Sequence, residues 1–302
     1  MNCPFSGSYV ALPTPFKDGA PDLAALSEVV EFHAEHKTDG LVVCGTSGES
    51  ATLDEYERNT VVEHVVAQSH GLLPVIVGTG TNDTRQSVAL TRFAKQAGAD
   101  GVMCVTPYYN KPSSLGLQRH FGAIAEATDL PVVLYNVPSR TGCDLKPATA
   151  AAIRASHENV VAIKEASGSI GRAQELQGAS DLALICGEDA LIADFMALGG
   201  VGVIGVVANV APAAVAELCR TAAPGGDAAR TAELCAFLAP LVRDLFIESN
   251  PAPLKAALAF MGLCRDELRL PLAPLLPDNR ARLEATLSEA GLGTLRAPLP
   301  AR

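Results

Sequence analysis

Eight short apolar, β-rich runs recur along this 302-residue chain, separated by segments with helical patterning. They are SYVALPTPF from Ser8, GLVVCGTSGE from Gly40, LPVIVGTGT from Leu73, GVMCVTPYY from Gly101, PVVLYNVPS from Pro131, VVAIKEASG from Val160, LALICGEDA from Leu182 and VGVIGVVAN from Val201. Their centres lie roughly 19 to 33 residues apart, the length of one strand–helix unit. Runs that are apolar at consecutive positions suit strands covered on both faces, as in a parallel sheet with helices packed around it. Eight such units predict an α/β fold, a (β/α)8 TIM barrel. The competing arrangement is an open doubly wound sheet, but no G-x-G-x-x-G fingerprint follows the first run.

The intervening segments carry helix signals. Thr52-x-x-Glu55 reads as a capping box opening the helix after the second run. Asp83 to Ala97 is helical in composition and ends at Gly98, a natural C-terminal stop. Leu117–Thr128, Pro147–Ala155, Gly171–Gln177, Ala190–Leu198 and Pro212–Ala222 follow the same logic. Past the AAPGGD punctuation at Ala222–Asp227 no further strand-like run occurs. Helices are expected over Ala228–Glu248, Pro253–Met261 and Asn279–Ala290, with prolines at 271, 274 and 277 marking a loop. The expected organisation is a barrel carrying the active site over 1–224 and a C-terminal helical extension over 225–302. Apolar residues make up 48% of the chain, enough for a large core.

Several function classes are disfavoured. The net charge is −10 and the basic residues are scattered, so neither nucleic acid nor an anionic membrane surface is an expected partner. The eight cysteines show no C-x-x-C spacing, which argues against a metal knuckle. MNCPFSGSYV lacks the pattern of a signal peptide, and the longest apolar run, Val201–Ala213, is too short to span a bilayer. A cytoplasmic location is expected. The histidines, at 33, 36, 64, 70, 120 and 157, lie away from the expected strand ends, so a zinc-dependent aldolase is disfavoured.

Reactive groups of such barrels sit at the C-terminal ends of strands and in the loops that follow. Lys17, Lys37, Lys95, Lys111 and Lys146 fall in loops or on helix faces, and Lys255 in the C-terminal helical region. Lys164 alone ends an apolar strand. Desolvation lowers the pKa of a buried lysine, and the neutral amine attacks ketones to give a Schiff base. A lysine at a strand end can equally reach solvent along a packed stem. Uniform alternation from an inward Lys164 places Val160 and Ala162 inside and Val161 and Ile163 against the helices. Tyr135 ends the preceding strand, roughly 4.8 Å away, at the same level of the mouth. It can carry protons beside an amine or serve as a rim aromatic. The Gly45-Thr46-Ser47-Gly48 turn offers two hydroxyls and backbone N–H groups suited to a carboxylate, or simply a tight turn. Arg140, in a polar loop, can hold a carboxylate bidentately.

Together the motifs GTSGES at Gly45, YYNKP at Tyr108, YNVPSRTG at Tyr135, IKEASG at Ile163 and GVIGVVANV at Gly202 resemble the pyruvate-dependent class I aldolases, typified by dihydrodipicolinate synthase and N-acetylneuraminate lyase. The resemblance covers nearly the whole chain, and YYNKP with VPSRTG points to the synthase branch. It implies that Lys164 forms the imine with pyruvate, that Tyr135 and Thr46 relay protons, and that Tyr109 reaches the neighbouring subunit's site. Ser47, standing where the family has threonine, would hold the pyruvate carboxylate. Arg140 would bind the carboxylate of the aldehyde, and Gly187 and Ile204 would line the pocket. The implied partners are pyruvate and L-aspartate 4-semialdehyde, in a homotetramer built as a dimer of dimers, with no metal or organic cofactor. A sialic-acid or 2-keto-3-deoxy sugar acid aldolase is the alternative, and a non-catalytic keto-acid-binding barrel a further one. The positions where family members bind lysine are retained at Ser50, Ala51, Asn82 and Tyr108. Glu55, Arg58 and Gln86 replace the histidines and glutamate of inhibited members, so weak or absent lysine inhibition is expected.

Overall fold

The computed structural model describes residues 3–293. Each of the eight runs forms one strand: Gly7–Ala11, Gly40–Val43, Val75–Gly78, Gly101–Val105, Val132–Asn136, Val160–Glu165, Ala183–Cys186 and Gly202–Gly205. They are numbered here as barrel strands one to eight. All pair in parallel, and strand eight closes on strand one through Gly7↔Gly202 to Val10↔Gly205. Strands five and six are buried at every position, as their unbroken apolar runs require.

Alternation along strand six departs from expectation. Its register to strand five runs Val132↔Val160, then Val133↔Ala162, so Val161 is an extra residue. Val161 and Ala162 therefore both join the barrel interior, while Val160 and Ile163 pack into the outer layer. The shift exchanges the expected places of Val160 and Val161. Beyond it the alternation holds, and Tyr135↔Lys164 and Asn136↔Glu165 fall into register.

The surrounding helices begin where polar side chains satisfy first-turn N–H groups. Asp22, Asp54, Asp83, Ser113, Ser169 and Asp227 each accept such a hydrogen bond. The capping box of the Glu55–Ser69 helix consists of Asp54 and Glu57 rather than Thr52 and Glu55. The Thr52 hydroxyl is engaged instead by the Glu49 carbonyl in the preceding turn. Pro138–Thr141 is a helical turn, not an irregular loop: Pro138 occupies its first turn and Gly142, at φ +65°, ends it.

The C-terminal helices are Ala228–Leu245, Ala252–Phe260 and Pro277–Glu289. Leu238, Leu241, Leu245, Leu283 and Leu287 belong to the same core cluster as the outer face of the barrel. Residue 225 falls in the turn between the Pro212–Thr221 and Ala228–Leu245 helices, and residues 294–302 of the expected extension lie outside the described residues. No described helix is long and apolar enough to cross a membrane.

Candidate active site

Lys164 ends strand six inside the mouth of the barrel. Only 6% of it is exposed, and its Nζ lies 4.2 Å from the centre of the Tyr135 ring. An ammonium over an aromatic face is attracted by the ring quadrupole. Ala162, Ala166, Ile185 and Ile204 share the interior cluster that includes Tyr135, and Ile185 is the register partner of Lys164 on strand seven. Gly187, at the end of strand seven, makes room for it. A Cβ there would sit 2.6 Å from Ala166 Cβ and 3.1 Å from Lys164 Cε. The glycine is thus a close-approach position, where any side chain would displace the lysine.

Two acidic groups, Glu188 and Asp189, follow strand seven. Burial, with Asp189 beside it, pushes the Glu188 carboxyl above its ordinary pKa, while Lys164 and Arg140 pull it back. Burial likewise raises Asp189, against the opposing N–H groups of Val206 and Val207, which donate to it at 2.9 to 3.1 Å.

A cavity of about 250 Å³ at this mouth is lined by Lys164, Tyr135, Thr46, Ser47, Arg140, Gly187, Ile204 and Glu188 among others. Seven of the eight expected site residues therefore surround one space. Ser47 is buried, and its Oγ accepts a hydrogen bond from Asn250 Nδ2 at 3.0 Å. Arg140 reaches the same residue by donating from Nη2 to the Asn250 carbonyl at 3.3 Å. Tyr109 is the exception. It is 88% exposed, stands at φ +74° in the loop after strand four, and lines neither this cavity nor its neighbour.

The neighbouring cavity, about 370 Å³, shares Thr46, Tyr135, Arg140 and Asn250 with the first. Ser50, Ala51, Tyr108 and Arg58 also line it. Arg58 is buried and donates to the Gly78 carbonyl. Asn82 accepts from Asn110 Nδ2 through its carbonyl at 2.9 Å, while Glu55 and Gln86 are exposed.

Three features of the site escaped the sequence. Asn250 lies in a Ser-Asn-Pro turn after the long C-terminal helix, and its only local signal is the turn-forming Asn-Pro pair. Glu188 follows Gly187 just past a strand end, where barrels of this kind place their reactive groups. Lys255 is a second buried lysine: fully enclosed, ion-paired to the buried Glu49, and 3.9 Å from the centre of the Phe16 ring.

A closed parallel barrel with a buried lysine, an adjacent tyrosine and hydroxyl side chains at its mouth is the arrangement of a barrel enzyme of the amine-nucleophile class. The chain belongs to the dihydrodipicolinate synthetase family, whose model matches residues 4–290. It is 50% identical over 290 residues to the 4-hydroxy-tetrahydrodipicolinate synthase of Pelobacter propionicus, covering 95% of this chain and 99% of that protein. The crystal structure of dihydrodipicolinate synthase from Aquifex aeolicus superimposes with a TM-score of 0.94 at 42% identity, covering 97% of this chain and all of the other. The chloride-inhibited dihydrodipicolinate synthase of Acinetobacter baumannii, crystallised with pyruvate, gives a TM-score of 0.92 at 43% identity over 95% of this chain and 99% of that one.

Proposed function

We propose that this chain is a 4-hydroxy-tetrahydrodipicolinate synthase, condensing pyruvate with L-aspartate 4-semialdehyde on the route to diaminopimelate and lysine. The observation that carries the assignment of roles is the Lys164 amine set over Tyr135 in a cavity that also holds Ser47 and Arg140. The similarity to relatives of that name supports the choice of substrates.

In this mechanism Lys164 Nζ attacks C2 of pyruvate, and the resulting carbinolamine loses water to give the imine. Ser47 and the backbone of its turn hold the pyruvate carboxylate. Loss of a proton from C3 yields the enamine, whose C3 attacks the aldehyde carbon to form the new C–C bond. Arg140 holds the carboxylate of the aldehyde substrate. The substrate's own amine then attacks C2, closes the ring and releases the Lys164 amine. Tyr135 and Thr46 relay the protons. Tyr109, exposed on an isolated chain, completes the relay when presented by a second subunit of a dimer of dimers. Of the 225–302 extension, the part up to residue 293 walls the site through Asn250. Eight free cysteines, six of them buried, fit the reducing cytoplasm.

A substrate panel tests the assignment. Pyruvate is supplied with aspartate semialdehyde, and cleavage of N-acetylneuraminate and of 2-keto-3-deoxygluconate is followed in parallel. The expected result is turnover with aspartate semialdehyde alone. Preferential cleavage of either sugar acid would move the chain to another branch of the pyruvate aldolases.

A further inference from the structure

Glu49 and Lys255 form an ion pair whose side chains are 1% and 0% exposed. Charged side chains are almost never enclosed to this degree unless paired. Desolvation offsets most of the attraction between such partners, so net stability is a poor account of their presence. Their location offers another.

Glu49 closes the turn that begins at Thr46, its N–H donating to the Thr46 carbonyl at 3.1 Å. Its backbone stands at φ +49°, a left-handed conformation uncommon outside glycine, asparagine and aspartate. Its carboxylate is fixed from the C-terminal segment at both oxygens, by Lys255 Nζ and by the Arg269 N–H at 3.1 Å. Lys255 is in turn held by the Glu267 carbonyl at 2.8 Å and by the Phe16 ring. Lys255 lies in the Ala252–Phe260 helix, just after Asn250, which donates to Ser47 Oγ. Two ties, Asn250 to Ser47 and Lys255 to Glu49, therefore straddle the turn that presents the hydroxyls.

We propose that Glu49 and Lys255 are a positioning pair, which sets the Thr46 and Ser47 hydroxyls against the substrate of Lys164 without touching that substrate. The inference rests on the pyruvate chemistry proposed above. Misplacing a reacting partner by about 1 Å from a distant change costs on the order of 10²-fold in rate.

The test uses the double variant Glu49→Gln/Lys255→Met, which leaves no orphan charge and so avoids the main cause of unfolding. Thermal melting, steady-state constants for pyruvate and borohydride trapping are measured beside the wild type. Positioning predicts a melting temperature within about 4 °C of wild type. It also predicts kcat/KM for pyruvate lowered about 10²-fold, divided between a lower kcat, through Thr46, and a higher pyruvate KM, through Ser47. Adding Ser47→Ala should then cost much less than it does in the wild-type background, because the two changes act through one turn. Glu49→Asp, which keeps the charge pair on a shorter arm, is the second variant. It should raise the pyruvate KM in the same direction by less, and it carries the test if the double variant does not fold. Wild-type constants for pyruvate in either folded variant, or a fully additive Ser47→Ala loss, overturn the positioning role. A wild-type protein that fails to trap pyruvate would instead overturn the underlying chemistry.

Discussion

Tyr135 and Lys164 are register partners on adjacent strands, and the lysine Nζ lies 4.2 Å from the centre of the tyrosine ring. The relationship follows from the barrel: consecutive β/α units are neighbours, and partners in register point to the same side of the sheet. It sets the amine proposed as nucleophile beside a side chain whose hydroxyl can exchange protons.

Tyr135→Phe keeps the ring that packs in the interior and removes only the hydroxyl. A lost general acid–base costs on the order of 10² to 10⁴ in rate. We expect kcat to fall by that amount while the melting temperature stays near wild type. Steady-state kinetics with thermal melting checks this, and an unchanged kcat would remove Tyr135 from the proton steps.

Gly187→Ala adds a methyl group 2.6 Å from Ala166 Cβ and 3.1 Å from Lys164 Cε. Overpacking of this kind costs about 1 to 3 kcal/mol. The larger effect should fall on chemistry, because the Cβ displaces the lysine end proposed to reach pyruvate. Slower pyruvate-dependent borohydride trapping, with a folded protein by circular dichroism, is the expected outcome. Trapping at the wild-type rate would show that Lys164 can react from another position.

Arg140 is fixed at the mouth by the Asn250 carbonyl but remains exposed. Arg140→Leu should leave imine formation with pyruvate intact and weaken the aldehyde. Hydrogen bonds to charged groups contribute about 1.5 to 3 kcal/mol, which corresponds to a rise of roughly 10- to 100-fold in the KM for aspartate semialdehyde. A variant impaired in pyruvate trapping but normal toward the aldehyde would reverse the assignment.

Lysine is expected to inhibit weakly or not at all. Arg58 places a guanidinium in the wall of the larger cavity, beside Ser50, Ala51 and Tyr108. A ligand ammonium entering there meets a like charge, which costs affinity. Activity titrated with lysine should stay flat through the low millimolar range. An inhibition constant in that range or tighter contradicts this.

The eight strands were legible because each is an unbroken apolar run, and the alternation of units dictated closure. From strand order alone, Tyr135 and Lys164 could be assigned to one rim, and the family resemblance added Gly187 and Ile204. What stayed hidden depends on contacts distant in sequence or on a single-residue slip. The extra Val161 leaves no trace in composition, since valine suits either face of the sheet. Lys255 read as an ordinary helical lysine because its partner Glu49 belongs to the second β/α unit. Asn250 touches Ser47 only after the C-terminal segment folds back over the mouth. Arg140 lines the cavity as expected, but its segment is a helical turn rather than a loop, and the cap expected at Thr52 falls at Asp54, through local turn chemistry that competing signals obscured.

The most direct measurement is reduction of the folded protein with borohydride in the presence of pyruvate, followed by peptide mass mapping. The account predicts a pyruvate-derived adduct on Lys164, lost in Lys164→Ala, and none on Lys255, the other buried lysine. No adduct on the wild-type protein, or an adduct confined to Lys255, would contradict it.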